Sequence, residues 1–174
     1  MATIADFEWF EIRQVRARDI PPIVKLDSTS FVSNFAVDSV LDRAVNFADR
    51  FLVAKEHFTE DVIGYIIGST DRMYTGDYNG YVYISRFAVK NNYRNKGIGS
   101  SLLMTLENLL MHTQEYRGLI MDVRRSNTKA INFYQKAGFI QSARHSHEDG
   151  YAEGKTEEDR YKVVMYKKFP ICRP

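Results

Sequence analysis

The chain has 174 residues, 44% hydrophobic and 26% charged, with a formal net charge of +2. That length suffices for one domain with a core of its own, and the composition is that of a globular chain. So small a net charge argues against a general nucleic-acid affinity, one cysteine (Cys172) excludes an internal disulfide, and no run approaches the ~18 apolar residues of a membrane span. The opening MATIADFEWF carries acids and no long apolar run, so no secretory signal is read there. The expectation is a cytoplasmic protein in a reducing compartment, with neither nucleic acid nor membrane among its partners.

In chain order, Phe7 to Val15 alternates as a first strand, with Trp9, Glu11 and Arg13 on one face and Phe10, Ile12 and Gln14 on the other. Asp19 stands where an N-cap would, and Pro21 and Pro22 suit the first turn of a short helix carrying Ile23, Val24 and Leu26. Phe31 to Ala36 reads as a loop, and Val37 to Ala48 as a second helix. FLVAK and VIGYIIG read as a hairpin across a polar turn. Asp71 to Gly80 is a loop, and Tyr81 to Val89 a central strand on which Tyr81, Tyr83, Ser85, Phe87 and Val89 share a face unless a bulge intervenes. Lys96 to His112 is helical, with a core stripe of Ile98, Leu102, Leu106, Leu109 and Leu110. Arg117 to Val123 is a strand, Ser126 an N-cap, Asn127 to Lys136 a helix, and Gly138 its stop. Phe139 to Ala143 begins a strand, His145 to Asp159 is a polar loop, and Tyr161 to Lys168 closes the series. Helices and strands alternate in the centre with hairpins at both ends, which gives one α/β domain over residues 1–174 with a mixed sheet.

The stretch with chemical content is the loop between the central strand and the long helix, KNNYRNKGIGS. Glycines at 97 and 99 admit a ligand close to the backbone, and a helix start offers unpaired N–H groups and partial positive charge, as phosphate requires. Arg94 and Lys96 add formal charge. A Walker-type loop is excluded because Gly99-Ser100-Ser101 lacks the lysine, and a dinucleotide fingerprint because Leu102 stands where a third glycine or alanine belongs. No cysteines accompany His57, His112, His145 or His147 at ligand spacing, so no metal site is read.

What remains is Arg94-x-x-Gly97-x-Gly99, followed by Asn127-x-x-Ala130-x-x-Phe133-Tyr134-x-x-x-Gly138-Phe139. This pair of motifs resembles the acetyl-coenzyme A signature and second motif of the GNAT superfamily of N-acetyltransferases. SRFAVKNNYRNKGIG and DVRRSNTKAINFYQKAGF are similar to the N-terminal (Nα) acetyltransferases, including the archaeal and ribosomal-protein alanine types. The resemblance implies a GNAT fold, a mixed and mostly antiparallel sheet splayed at the cofactor with helices on both faces, and acetyl-coenzyme A as co-substrate without a metal. It assigns the cofactor to the backbone of Phe87, Ala88 and Val89, to the loop Arg94, Asn95, Lys96, Gly97, Ile98, Gly99 and Ser100, and to Asn127 and Tyr134. It makes Tyr134 the group beside the sulfur, and Asp122 and Tyr83 the groups that take the amine proton. Phe31, Phe35 and Tyr151 fall where the acceptor would lie.

Each residue has a plainer reading that the sequence leaves open: a helix cap for Asn127, a core aromatic for Tyr134 and Tyr83, an ion pair with Arg86 or Arg124 for Asp122, and core packing for Phe31 and Phe35. The family's paired tyrosines of the last loop are absent, Tyr151 being the nearest candidate, and Gln135 stands where the alanine types carry a glutamate. Direct acetyl transfer to the α-amine of a protein or peptide is the leading reading. A polyamine, another small amine or a lysine side chain is the alternative acceptor, and a non-catalytic acyl-coenzyme A-binding module the alternative of another class. Homodimer formation and ribosome association are left open.

Overall fold

A computed structural model describes residues 3–31, 37–70, 78–148 (backbone alone in 143–148) and 161–170. The chain runs β1 (Thr3–Asp6), β2 (Phe10–Gln14), α1 (Ile20–Ser30), α2 (Val37–Asn46), β3 (Phe51–Glu56), β4 (Val62–Ser69), β5 (Tyr81–Val89), α3 (Ile98–Thr113), β6 (Gly118–Arg124), α4 (Thr128–Lys136), β7 (Ile140–Glu148) and β8 (Tyr161–Lys168). The strands form one mixed sheet in the order β1-β2-β3-β4-β5-β6-β8-β7. Two compact units divide the chain, residues 1–71 with 84–115 and residues 72–83 with 116–174.

In the first unit, β2, β3 and β4 pair antiparallel, with Ile12 opposite Ala54 and Val53 opposite Tyr65. Every residue of β4 is buried, which explains why VIGYIIGS is a continuous apolar run rather than an alternating one. On one face Phe51, Val53, Tyr65 and Ile67 pack with Ile20, Ile23, Leu26 and Val40 of α1 and α2. On the other, a Cβ at Gly64 would lie 3.2 Å from Leu102 and 3.4 Å from Ile98, both on α3. Each fully enclosed Ile or Leu contributes about 1.5–3 kcal/mol. The buried stripe of α3 includes Leu103, whereas Leu109, expected in it, is half-buried.

The second unit holds the start of β5 with β6, α4, β7 and β8. β5 pairs parallel with β6 through Tyr81↔Gly118, Val82↔Leu119 and Tyr83↔Ile120, although β5 runs on to Val89 and β6 to Arg124. β8 pairs antiparallel with β6 along its whole length. Gly118 is required here: a Cβ would lie 2.2 Å from the carbonyl oxygen of Lys167 and 2.5 Å from the ring of Tyr81. That ring belongs to an aromatic cluster in which Tyr78 lies 5.3 Å from Tyr166 and 5.7 Å from Tyr81.

Four expectations are corrected. The strand read over Phe7 to Val15 spans only Phe10–Gln14, and an unexpected strand, β1, precedes it. Ser126 does not cap α4; Asn127 does, its side chain accepting from the N–H of Ala130 at 3.1 Å, and Gly138 stops the helix with φ +89 as expected. The segment from His145 to Glu148, read as loop, continues β7; residues 149–160, including Tyr151, lie outside the described residues, as do Phe35 and Cys172. Asp19 does not cap α1 with its side chain but accepts both guanidinium nitrogens of Arg13, at 2.7 and 2.9 Å, and the N–H of Arg16 at 2.8 Å. Among the described residues no helix is long and apolar enough to cross a membrane.

Arg13 and Asp19 are both buried, and removing one partner strands the other's charge. Asp19→Ala should therefore cost about 3–5 kcal/mol, read as a lower urea midpoint at unchanged slope; an unshifted midpoint would show the pair contributes nothing. Burial pushes the Asp19 carboxyl up, but the hydrogen bonds from Arg13 and Arg16 outweigh it and hold it below the ordinary carboxylate range. A carboxyl depressed in the folded state stabilises above its unfolded pKa of about 3.9 and loses that contribution as pH falls through the folded value. The ion pair should thus stabilise undiminished down to about pH 4 and fade below it.

Candidate active site

β5 ends at Val89, and the next N–H, of Lys90, donates to the carbonyl of Ile63 at 2.9 Å. One turn of 3-10 helix (Asn91–Tyr93) leads to Arg94, whose Nε turns back to the carbonyl of Val89 at 3.0 Å. Asn95 has φ +61 and Gly97 φ +84, two left-handed residues framing Lys96. Such alternation aims successive N–H groups into a common concavity, where anions bind. α3 starts directly behind it at Ile98, which is buried and anchors the turn, while Arg94, Asn95, Lys96, Gly97 and Ser100 are exposed and Gly99 half-exposed. A Cβ at Gly97 would meet nothing within 4 Å, so the approach to this backbone is open. The left-handed turn, the open approach and the helix start fit a pyrophosphate. Among the basic residues around the loop, Lys90 is engaged by Asp61 at 3.0 Å, and Lys96 lies 5.2 Å from the Tyr93 ring centroid and 6.0 Å from that of Trp9.

Farther back on β5 the alternation of faces breaks. The hydroxyl of Ser85 accepts from Nη1 of Arg43 on α2 at 3.4 Å, and the next residue, Arg86, brings Nε within 3.7 Å of Asp27 on α1. Consecutive residues of a regular strand point to opposite faces, so β5 is locally irregular at 85–86, as a bulge would make it, and the shared face expected from Tyr81 to Val89 does not hold. Ala88 accordingly joins the core beneath α1 and α2. Asp27 is fully buried and accepts the hydroxyl of Tyr65; Arg86 stacks at 4.7 Å over Phe31, the residue that ends α1. Sequence reasoning missed this cluster. Its signal was Asp27 beside the apolar residues of IVKLD and Arg86 inside YVYISRFAV, since an isolated buried charge is costly.

The second unit brings Tyr83, Asp122 and Tyr134 together. The hydroxyl of Tyr83 donates to Oδ2 of Asp122 at 3.3 Å, both side chains half-buried. Tyr134 is 7% exposed, with ring centroids 5.1 Å from Phe133 and 5.5 Å from Phe139. Burial, and then the neighbouring Tyr83, push its phenol well above the usual value of 10. Tyr134 thus keeps its proton throughout the physiological range. Asn127 stands at the start of the same helix, its Oδ1 engaged in the cap. Asn127→Ala should cost about 1 kcal/mol and Asn127→Asp much less, with thermal melts as the measurement; equal loss from both would show that the cap is not what holds the helix start.

The acetyltransferase (GNAT) family model matches residues 17–139. An N-alpha-acetyltransferase of Sulfurisphaera tokodaii is 27% identical over 150 residues, 81% of this chain and 87% of that protein. The crystal structure of Ard1 from Thermoplasma volcanium has a TM-score of 0.76 at 25% identity, covering 92% of this chain and 98% of that one. Naa50 of Arabidopsis thaliana, solved with the bisubstrate analogue CoA-Ac-MVNAL, shares the fold with a TM-score of 0.71 at 24% identity, over 92% and 99% of the two chains. This chain belongs to the acetyltransferase (GNAT) family and is an N-acetyltransferase.

Proposed function

We propose that the protein transfers an acetyl group from acetyl-coenzyme A to the N-terminal α-amine of a protein or peptide, by direct attack of the amine on the thioester. The observation that carries this reading is the Tyr83–Asp122 hydrogen bond, which holds a carboxylate able to act as a base among apolar residues of β6. The name of the Sulfurisphaera relative and the peptide-bearing analogue on Naa50 support the choice of acceptor.

Acetyl-coenzyme A supplies the activated carbonyl. The loop Arg94–Ser100 would hold its pyrophosphate through backbone N–H groups, and the backbone of Phe87, Ala88 and Val89 would pair with its pantetheine arm. Holding both reactants in line contributes several kcal/mol by itself. Asp122, directly or through one water, takes a proton from the ammonium. The neutral nitrogen forms the bond to the carbonyl carbon, the carbon–sulfur bond breaks, and the proton that nitrogen then sheds balances the one that sulfur takes up, so that coenzyme A leaves as the thiol. Tyr134 gives the departing sulfur a hydrogen bond; because its phenol is the weaker acid, it stabilises the thiolate before it surrenders the proton. An α-amine, with pKa about 8, is about 10% neutral at pH 7, whereas a lysine at about 10.4 is neutral in well under 0.1% of molecules, a difference of about 3 kcal/mol. A single short carboxylate suits the easier deprotonation.

The acceptor is settled by turnover across a panel of N-terminal peptides, with spermidine and an N-blocked lysine peptide as controls; turnover confined to the controls would overturn the α-amine reading and leave the acetyltransferase standing. Tyr134→Phe should lower kcat about 10²-fold with little change in cofactor affinity, and an unchanged kcat with chemistry rate-limiting would reduce Tyr134 to packing. Asp122→Asn should lower kcat/KM most below about pH 8, where the α-amine is charged, and recover as pH rises through the amine pKa. A defect independent of pH would instead mark Asp122 as structural.

A further inference from the structure

Beside the loop Arg94–Ser100 stand two aromatic rings that the mechanism above does not use. Trp9, in the turn between β1 and β2, precedes the residues 17–139 that the family model matches. Its ring stacks with that of Tyr93, just ahead of the loop, with centroids 6.2 Å apart and planes 20° apart. The hairpin between β3 and β4 fixes the turn that carries Trp9. There the N–H of His57 donates to the carbonyl of Trp9 at 3.1 Å, and Nε2 of His57 lies 3.0 Å from the carbonyl oxygen of Phe7. Two ammonium groups lie near these rings. Nζ of Lys90 is 5.7 Å from the Tyr93 centroid but is paired with Asp61 at 3.0 Å. Nζ of Lys96 is 5.2 Å from the Tyr93 centroid and 6.0 Å from that of Trp9, and among the described residues no carboxylate pairs with it.

Resting on the reading of the loop as the pyrophosphate site, we propose that Trp9 is a positioning residue for acetyl-coenzyme A. With Tyr93 it holds the Lys96 ammonium beside the loop, where the charge adds to the backbone N–H groups in balancing the pyrophosphate. A ring face attracts a cation without neutralising it, as a carboxylate would, so the charge of Lys96 stays available to a phosphate. An exposed lysine has a flexible four-carbon stem, and ordering it on binding costs affinity; held against two rings, it meets that cost before the ligand arrives. Lys96 itself stands between the left-handed residues Asn95 and Gly97, so one residue brings both a backbone N–H and an ammonium to the loop. Trp9 acts through Lys96 and not on the reacting atoms.

The test is calorimetric binding of acetyl-coenzyme A, of its 3′-dephospho form and of acetylpantetheine, which lacks the pyrophosphate. Wild type, Trp9→Phe, Trp9→Leu, Lys96→Met and the variant carrying both Trp9→Leu and Lys96→Met are compared, each with a thermal melt. Trp9→Leu should weaken acetyl-coenzyme A and its 3′-dephospho form alike, by about 3- to 10-fold, and leave acetylpantetheine unaffected. Trp9→Phe, which keeps a ring, should retain most of the affinity. Once Lys96→Met is present, Trp9→Leu should cost nothing further, a coupling that a merely structural role for Trp9 would not produce. Trp9 is the only tryptophan of the chain, so its emission maximum reads the contact directly and should shift in Lys96→Met. Should Trp9→Leu fail to fold, Tyr93→Leu, which removes the other ring, should show the same coupling to Lys96. An unweakened, folded Trp9→Leu, additive losses in the double variant, an unshifted emission maximum, or a loss confined to the 3′-phosphorylated ligand overturns the positioning role and leaves the loop reading in place. Wild type that binds acetylpantetheine as tightly as acetyl-coenzyme A overturns the loop reading and the role of Trp9 with it.

Discussion

Helix α1 is tied to its sheet by two buried carboxylates, and the first unit is arranged around their needs. Asp19, just before the helix, takes both guanidinium nitrogens of Arg13 from β2; Asp27, in its last turn, takes the hydroxyl of Tyr65 from β4 and lies beside Arg86 of β5. Buried ion pairs add little net stability over apolar packing, because desolvation offsets the attraction, but they tolerate few geometries. An apolar helix face can slide along a greasy sheet at small cost. One pinned at both ends by hydrogen-bonded charges has its register and rotation set, and with them the position of Phe31 at its end.

β5 meets competing demands along its length. Tyr81, Val82 and Tyr83 pair with β6; the carbonyl of Val89 takes Nε of Arg94, and the following N–H, of Lys90, reaches Ile63. Between these, the irregularity at Ser85 and Arg86 turns two neighbouring side chains toward α1 and α2. The catalytic reading draws on this strand through Tyr83.

Much of this was legible in the residues. β5 and β8 form over the spans read for them, because an apolar run bounded by Gly80 and by the basic loop, or by the charged stretch before Tyr161, leaves little choice of ends. The loop Arg94–Ser100 was legible because the left-handed turn at Gly97 and a helix start right behind it have a sequence signature. What escaped was polar and long-range. Arg13 in an alternating strand reads as a solvent-facing residue, yet it is buried, since its partner lies six residues on in a position that reads as a helix cap. Ser126 and Asn127 are both good caps, and only the hydrogen bond to Ala130 decides between them. β1 was missed because TIAD is short, weakly patterned and partly exposed at the sheet edge.

The cap on α4 also has a polarity. An amide side chain ends in one acceptor and one donor group, and here the acceptor, Oδ1 of Asn127, is committed to the N–H of Ala130. Flipping the amide would set N–H against N–H and forfeit the bond, which fixes the outward end of Asn127 as its NH₂. A ligand carbonyl can therefore meet that NH₂ end, while the second lone pair of Oδ1 remains an acceptor. A residue that looks occupied by its structural duty thus keeps a donor of fixed position.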